Sequence, residues 1–189
     1  MSGDAVPVDD VVETMNSFEL FDEMIDSLDA PISAERIKRY HGILKRGTAQ
    51  SNLDWFVVGG WKRVPNVVGL QQTTAPEHVE LAMSELLEQT PSRGAMSFAD
   101  IVDFHHRFES IHPFQDGSGR VGRIVMFQQC LQNGIMPFIG LDAQKELYYR
   151  GLREYETQPG FLRETLRSFQ DSYYAKFAEL VPVVGREGP

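Results

Sequence analysis

The sequence predicts an all-α bundle of helices with one small β-hairpin inserted. Apolar residues recur every three or four positions along most of the 189 residues, start and stop residues bracket those stretches, and the helical period is lost only between Thr48 and Thr74. The length suits one folded domain, expected over residues 9–180, with a disordered N-terminus at 1–8 and a flexible tail at 181–189.

Asp9 and Asp10 start the first helix, whose apolar residues Val12, Met15, Phe18, Phe21, Ile25 and Leu28 make the expected inner stripe until Pro31 ends it. Ser33 starts the second, with Ile37, Tyr40, Ile43 and Leu44 inward and Gly47 as the stop. Gly59-Gly60, Pro65-Asn66 and Gly69 then punctuate short β-branched runs, which reads as a loop leading into a hairpin over about residues 64–74, with Val67, Val68 and Leu70 at its core. After Pro76 a helix turns Val79, Met83, Leu86 and Leu87 inward. Ser97-Phe-Ala-Asp100 opens the next helix as a capping box. Its stripe of Phe98, Ile101, His105, Phe108 and Ile111 delivers the chain to His112. A further helix carries Val121, Ile124, Val125 and Leu131, with Gln128 breaking the pattern, to a stop at Asn133-Gly134. Two more fit residues 143–156 and 161–180.

Between the fourth and fifth of these helices lies His112-Pro-Phe-Gln-Asp116-Gly-Ser-Gly-Arg120-Val-Gly-Arg123, a set of residues that packing alone does not require. Gly117 and Gly119 let backbone N–H groups turn towards an anion. Ser118 stands where the helix begins and can cap its free amides, while the remaining amides and the positive helix end favour a phosphate. Arg120 and Arg123 are three apart, so they share a helix face and can reach one phosphate chain. A lone carboxylate beside phosphates, here Asp116, suits magnesium that keeps most of its waters. His112, with a near-neutral pKa, suits removal of a proton from a hydroxyl nucleophile.

Composition narrows the alternatives. Twenty-seven acidic against 18 basic residues, a net charge of -9, argue against a nucleic-acid surface. The single cysteine, Cys130, excludes an internal disulfide and reads as a buried small hydrophobe. No apolar run is long enough to span a bilayer and no basic-then-apolar leader is seen, so a cytoplasmic location without membrane contact is expected. His105-His106 with Glu109 lacks metal-ligand spacing, and these histidines and His41 read as core or surface groups. Trp55 and Trp61, beside the double glycine, read as loop anchors.

The motif resembles that of the Fic (filamentation induced by cyclic AMP) proteins, His-x-Phe-x-Asp/Glu-Gly-Asn-Gly/Lys-Arg-x-x-Arg, at His112, Phe114, Asp116, Gly117, Gly119, Arg120 and Arg123. The stretches 18–47 and 55–76 and the segment Tyr148-Tyr149-Arg150-Gly151-Leu152 also look like one branch of that family, so most of the chain is covered. The resemblance implies a Fic-type helical bundle that transfers AMP from ATP, with Mg2+, to a Ser, Thr or Tyr hydroxyl of a target protein and of itself. His112 would be the general base, Phe114 a loop anchor beside the nucleotide, and Asp116 the magnesium ligand. Gly117, Ser118 and Gly119 would contact phosphate through the backbone, Arg120 and Arg123 would neutralise it, and Tyr148 and Tyr149 would lie against the adenine. The hairpin would be a flap that registers an extended segment of the target by strand addition.

Two positions refine the expectation. Ser118 replaces the family's usual Asn, which keeps a short oxygen acceptor, loses an amide donor and implies weakened activity. Gly119, where the Doc branch has Lys, looks like the AMP-transferring branch. Many members are silenced by a helix bearing Ser/Thr-x-x-x-Glu-Gly/Asn; Ser84 to Gln89 and Val183 to Gly188 match it only in part, so the chain is expected to lack that helix and to be unrestrained. An inhibitory helix or antitoxin-like partner and a homo-oligomer remain open, as do transfer of another phosphate-containing group and an idle nucleotide- or protein-binding module.

Overall fold

The structure, a computed structural model, describes residues 7–69, 71–91, 93–139 and 145–177. Among them are seven α-helices and one two-stranded hairpin, and the chain divides into two compact units, residues 1–134 and 135–189. The expected tail at 181–189 and the expected helix ends at 143–144 and 178–180 lie outside the described residues.

The first unit is built around α5 (Ser118–Gln132), which packs against α1 (Val8–Asp26), α2 (Ala34–Lys45) and α4 (Phe98–Ile111). That central place explains why α5 is not amphipathic: Val121, Val125, Met126, Phe127 and Cys130 are buried, and so are Gln128 and Gln129. Gln128, expected to break the apolar stripe, instead lies inside it, because the Tyr40 hydroxyl of α2 donates to its Oε1 at 2.8 Å and satisfies the buried carbonyl. The starts of α2 and α4 follow the cap chemistry of the sequence. Ser33 Oγ accepts from the Arg36 N–H, and Ser97 and Asp100 form the complete capping box. α3 (Val79–Glu88) lies on α2 and α4 and buries Val79, Met83 and Leu86.

The faces of α1 and of the hairpin also differ from expectation. On α1 the buried residues are Asn16, Leu20 and Met24, whereas Met15, Phe18 and Ile25 of the expected inner stripe face solvent. The reason is polar. Asn16 Nδ2 donates to the Leu44 and Arg46 carbonyls at 3.0 and 2.8 Å, which turns the helix so that its polar positions meet the end of α2. In the hairpin, β1 (Val67–Val68) pairs antiparallel with β2 (Gln71–Gln72) in the register Val67 to Gln72 and Val68 to Gln71. Val67 and Val68 are exposed rather than a core, since a ribbon two pairs long has no second layer to cover a face. Leu70 lies outside the described residues.

The second unit pairs α6 (Lys145–Arg153) with α7 (Pro159–Phe177), where Leu162, Leu166 and Phe169 are buried. α7 begins two residues earlier than expected, at Pro159, whose missing N–H costs nothing in a first helical turn. The two helices meet closely at Gly151. A Cβ there would lie 2.8 Å from Leu162 Cα and 3.0 Å from its nitrogen, both backbone atoms that cannot swing aside. Gly151→Ala is therefore expected to loosen this pair and to destabilise the protein by about 1–3 kcal/mol in urea denaturation; an unchanged midpoint would show that the helices part at no cost.

Candidate active site

His112 ends α4 as its C-cap in a left-handed conformation, φ 49° and ψ 66°, and is the sole non-glycine residue with positive φ among the described residues. A side chain in that region is strained and persists only where its surroundings dictate it. Its N–H donates to Phe108 O at 2.9 Å, and its ring is 16% exposed. Burial first, then the Lys62 charge, lowers the imidazole pKa to about 4. The ring is neutral near pH 7, so one nitrogen has a lone pair ready to take a proton.

Gly117 follows the turn with φ 86° and serves as the N-cap of α5. No side chain caps this helix, so first-turn amides remain for a ligand at its positive end. Ser118 does not perform the expected capping. It is fully buried, where its Oγ accepts from the Phe114 N–H at 3.0 Å and faces the Phe114 carbonyl at 3.3 Å, closing the loop on itself. Phe114 is also fully buried, so neither of these side chains faces a ligand.

His41, which the sequence offered no reason to select, holds the loop. Its ring stacks on Phe114 with centroids 4.0 Å apart and planes 5° from parallel. Nδ1 accepts from the Gly59 N–H at 3.0 Å, which leaves the proton on Nε2 to donate to the Asp116 carbonyl at 3.1 Å. Burial lowers its pKa to about 4, preserving the one neutral tautomer that makes both bonds.

Charges converge on the mouth of α5. The fully buried Lys45 donates to Asp116 Oδ2 at 2.7 Å and to Glu13 Oε1. Glu13 also accepts from Arg120 Nη1, while Arg120 Nη2 lies 3.5 Å from Asp116 Oδ2. Both contacts to Asp116 use Oδ2 of a side chain that is 44% exposed. That donor set fits magnesium, which binds through one carboxylate, waters and phosphate oxygens; no group of three or more acidic, histidine or cysteine residues among the described residues offers an all-protein cage. Arg123 stands near: a Cβ on Gly119 would lie 3.3 Å from its Nη1, and its charge contributes to holding the Arg120 pKa below the ordinary value, after burial.

Behind the histidine sits Glu109, whose Oε2 is 3.8 Å from His112 Nδ1 and whose Oε1 is buried without a hydrogen bond among the described residues. Burial raises its pKa to about 7 against the opposing charge of Arg123. Gly122 makes the space for it, since a Cβ there would lie 2.6 Å from Oε1 and about 3 Å from the Phe108 ring.

The hairpin is stitched to this loop. Lys62 is buried and donates its backbone N–H to Pro113 O at 2.9 Å, and its Nζ reaches Asn66 Oδ1, Thr73 Oγ1 and Ile111 O at 2.8, 2.6 and 3.3 Å. Asn66 Nδ2 donates to Phe114 O at 3.0 Å. These residues were missed in sequence because each lies in a stretch without periodicity. Trp61, an expected anchor, packs on Phe114 at 5.3 Å, whereas Trp55 is exposed. His105 and His106 are buried, as is Cys130. Tyr148 and Tyr149 lie on α6 in the second unit, Tyr148 buried and Tyr149 half exposed.

Residues 31–130 match the model of the Fic/DOC family. The chain is 37% identical over 84 residues to a probable protein adenylyltransferase of Aquifex aeolicus, covering 44% of this chain and 26% of that one. It is 32% identical over 82 residues to a Fido domain-containing protein of Dictyostelium discoideum, covering 41% and 57%. The matches thus span about a quarter and somewhat over half of the curated relatives' lengths. Among solved structures, a Fic domain containing signaling protein from Bacteroides thetaiotaomicron superposes with TM-score 0.78 at 18% identity, over 100% of this chain and 79% of that one. A Bartonella tribocorum effector with bound AMPPNP superposes with TM-score 0.58 at 14% identity, over 86% of each chain. No helix among the described residues is long and apolar enough to cross a membrane.

The buried titrating groups set how stability responds to acid. His41, His105 and His112 have pKa values lowered from 6.5 to about 4, 3 and 4, so below pH 6.5 the unfolded chain takes each proton first and unfolding is favoured. Glu109 is raised from 4.5 to about 7 and works the other way, since the folded chain takes its proton first. Three less one leaves a net uptake of about two protons on unfolding between these limits. Urea denaturation should show stability falling as pH drops from 6.5 towards 4.5; a flat profile would contradict the neutral buried imidazoles.

Proposed function

The chain belongs to the Fic/DOC family, and on that premise we propose that it is a protein adenylyltransferase, moving AMP from ATP to a Ser, Thr or Tyr hydroxyl of a target protein and of itself. The observation that carries the reading is the neutral imidazole of His112, held in a strained conformation one loop away from an uncapped helix N-terminus with two arginines. A hydroxyl nucleophile needs a base, and a triphosphate needs cations and amides beside it; here they are neighbours.

In this reading the first-turn amides of α5 and the guanidinium groups of Arg120 and Arg123 bind and orient the phosphates. Asp116 would hold magnesium, which when bound supplies positive charge to the phosphate oxygens. His112 takes the proton of the incoming hydroxyl at its free ring nitrogen. The hydroxyl oxygen forms a bond to the α-phosphorus as the bond to the bridging oxygen breaks, and pyrophosphate leaves with that electron pair. Val67 and Val68, exposed on a ribbon whose base is tied to the loop by Lys62 and Asn66, suit the docking of an extended target segment. A cytoplasmic location, with its ATP and magnesium, is part of the proposal.

ATP labelled at either the α- or the γ-phosphate separates the alternatives. Label from the α position should appear on protein, label from the γ position should not, and γ transfer would overturn the reading in favour of phosphorylation. His112→Ala should lower α transfer by about a hundredfold or more while the affinity for a non-hydrolysable ATP analogue stays within a few fold, because the base acts in the chemical step. Equal transfer by parent and variant would remove His112 from the mechanism.

A further inference from the structure

Glu13 lies on α1, outside the residues 31–130 matched by the family model, yet its carboxylate touches the site. One oxygen accepts from Arg120 and the other from Lys45, which in turn holds Asp116 at 2.7 Å. We infer that Glu13 is a positioning residue for the nucleotide site, a strut that fixes the Arg120 guanidinium while its second oxygen shares the Lys45 ammonium with Asp116. This rests on the reading of the site as a nucleotide cradle.

Three observations support a strut over a plug. Glu13 is only 12% exposed and Arg120 is 34% exposed, so the acid stands behind the guanidinium and leaves its outer edge to a ligand. Lys45 is completely buried and needs anionic partners, and among the described residues Glu13 and Asp116 are the two within ion-pair distance. Two carboxylates against Lys45 and Arg120 make a cluster without net charge. Third, α1 presents Glu13 and Asn16, one turn apart, to α2 and α5 while Met15 and Phe18 stay in water. Burying either apolar side chain would stabilise the fold. The helix forgoes that burial and keeps an acid on Arg120.

The consequence is geometric. A guanidinium that grips phosphate contributes most when it is already oriented, and loss of the strut frees a long side chain that must be ordered again on binding. Charge alone predicts the reverse, because removing an acid beside two cations strengthens attraction for a polyanion.

Titration of a non-hydrolysable ATP analogue with magnesium, by calorimetry well below the melting temperature, tests this. Glu13→Gln should weaken binding about tenfold. Glu13→Asp, which keeps the charge but retracts it by one methylene, should also weaken binding. Glu19→Gln, an exposed acid on the same helix paired with Arg46, should bind as the parent does. Nitrogen-15 NMR of the arginine side chains without nucleotide should show the Arg120 Nη protons protected from solvent exchange in the parent and freely exchanging in Glu13→Gln. Unchanged or tighter binding in the Gln variant, parental behaviour in the Asp variant, or an unchanged Arg120 signal would each overturn the strut. A parent that binds no analogue would instead bring down the nucleotide reading, and the Arg120 signal would then decide the strut alone.

Discussion

One neutral imidazole ties the site together. His41 stacks on Phe114, accepts from Gly59 and donates to the Asp116 carbonyl, so α2, the loop before the hairpin and the active-site turn all meet on a single ring. Protonation would destroy the arrangement, since a charged ring has no acceptor for Gly59. Burial prevents it by desolvation. Gly117 depends on the same contact: with φ 86° and a would-be Cβ 3.2 Å from Leu44 and 3.5 Å from His41, it lets the turn lie directly on α2. The strain at His112 is sustained from this base, because the loop on either side of Phe114 is bonded to Lys62, Asn66 and Ser118 and cannot relax.

The bundle around this loop accepts compromises that apolar packing alone would avoid. Lys45 is fully buried, Glu109 keeps an oxygen without a hydrogen bond among the described residues, and α1 exposes Met15, Phe18 and Ile25 to solvent. The first two lie in or beside the site. A carboxylate buried near Arg123 and His112 is costly unless charge or chemistry uses it. The hairpin is the complementary case. It contributes no core, but its base is bonded to the loop that follows His112, so its exposed valines are held in a fixed relation to that residue.

Much of this was legible in the chain. The capping box at Ser97 and Asp100, the stripe from Phe98 to Ile111 and the hairpin after Gly59-Gly60 are local signals, set by helix periodicity and by residues that favour turns. The clustering of His112, Asp116, Arg120 and Arg123 was legible for the same reason, since all lie within one turn and the first coils of one helix. His41, Lys45, Glu13 and Lys62 were not. His41 and Lys45 stand on α2, Glu13 on α1 and Lys62 in the segment before the hairpin, and none does anything recognisable until the fold brings it to the active-site loop or the start of α5.

Taken alone, the amino-acid order determined the helices, the caps at Ser33 and Ser97, the glycine turn and the identity of the groups beside it, because those depend on neighbours within about four residues. Tertiary structure decided which face of α1 turned inward, that Gln128 lay in the core, that Ser118 closed the loop rather than capped a helix, and which distant side chains held Arg120 and Asp116. Those outcomes turn on desolvation and ion pairing between residues up to 107 positions apart, for which the local pattern carries no signal.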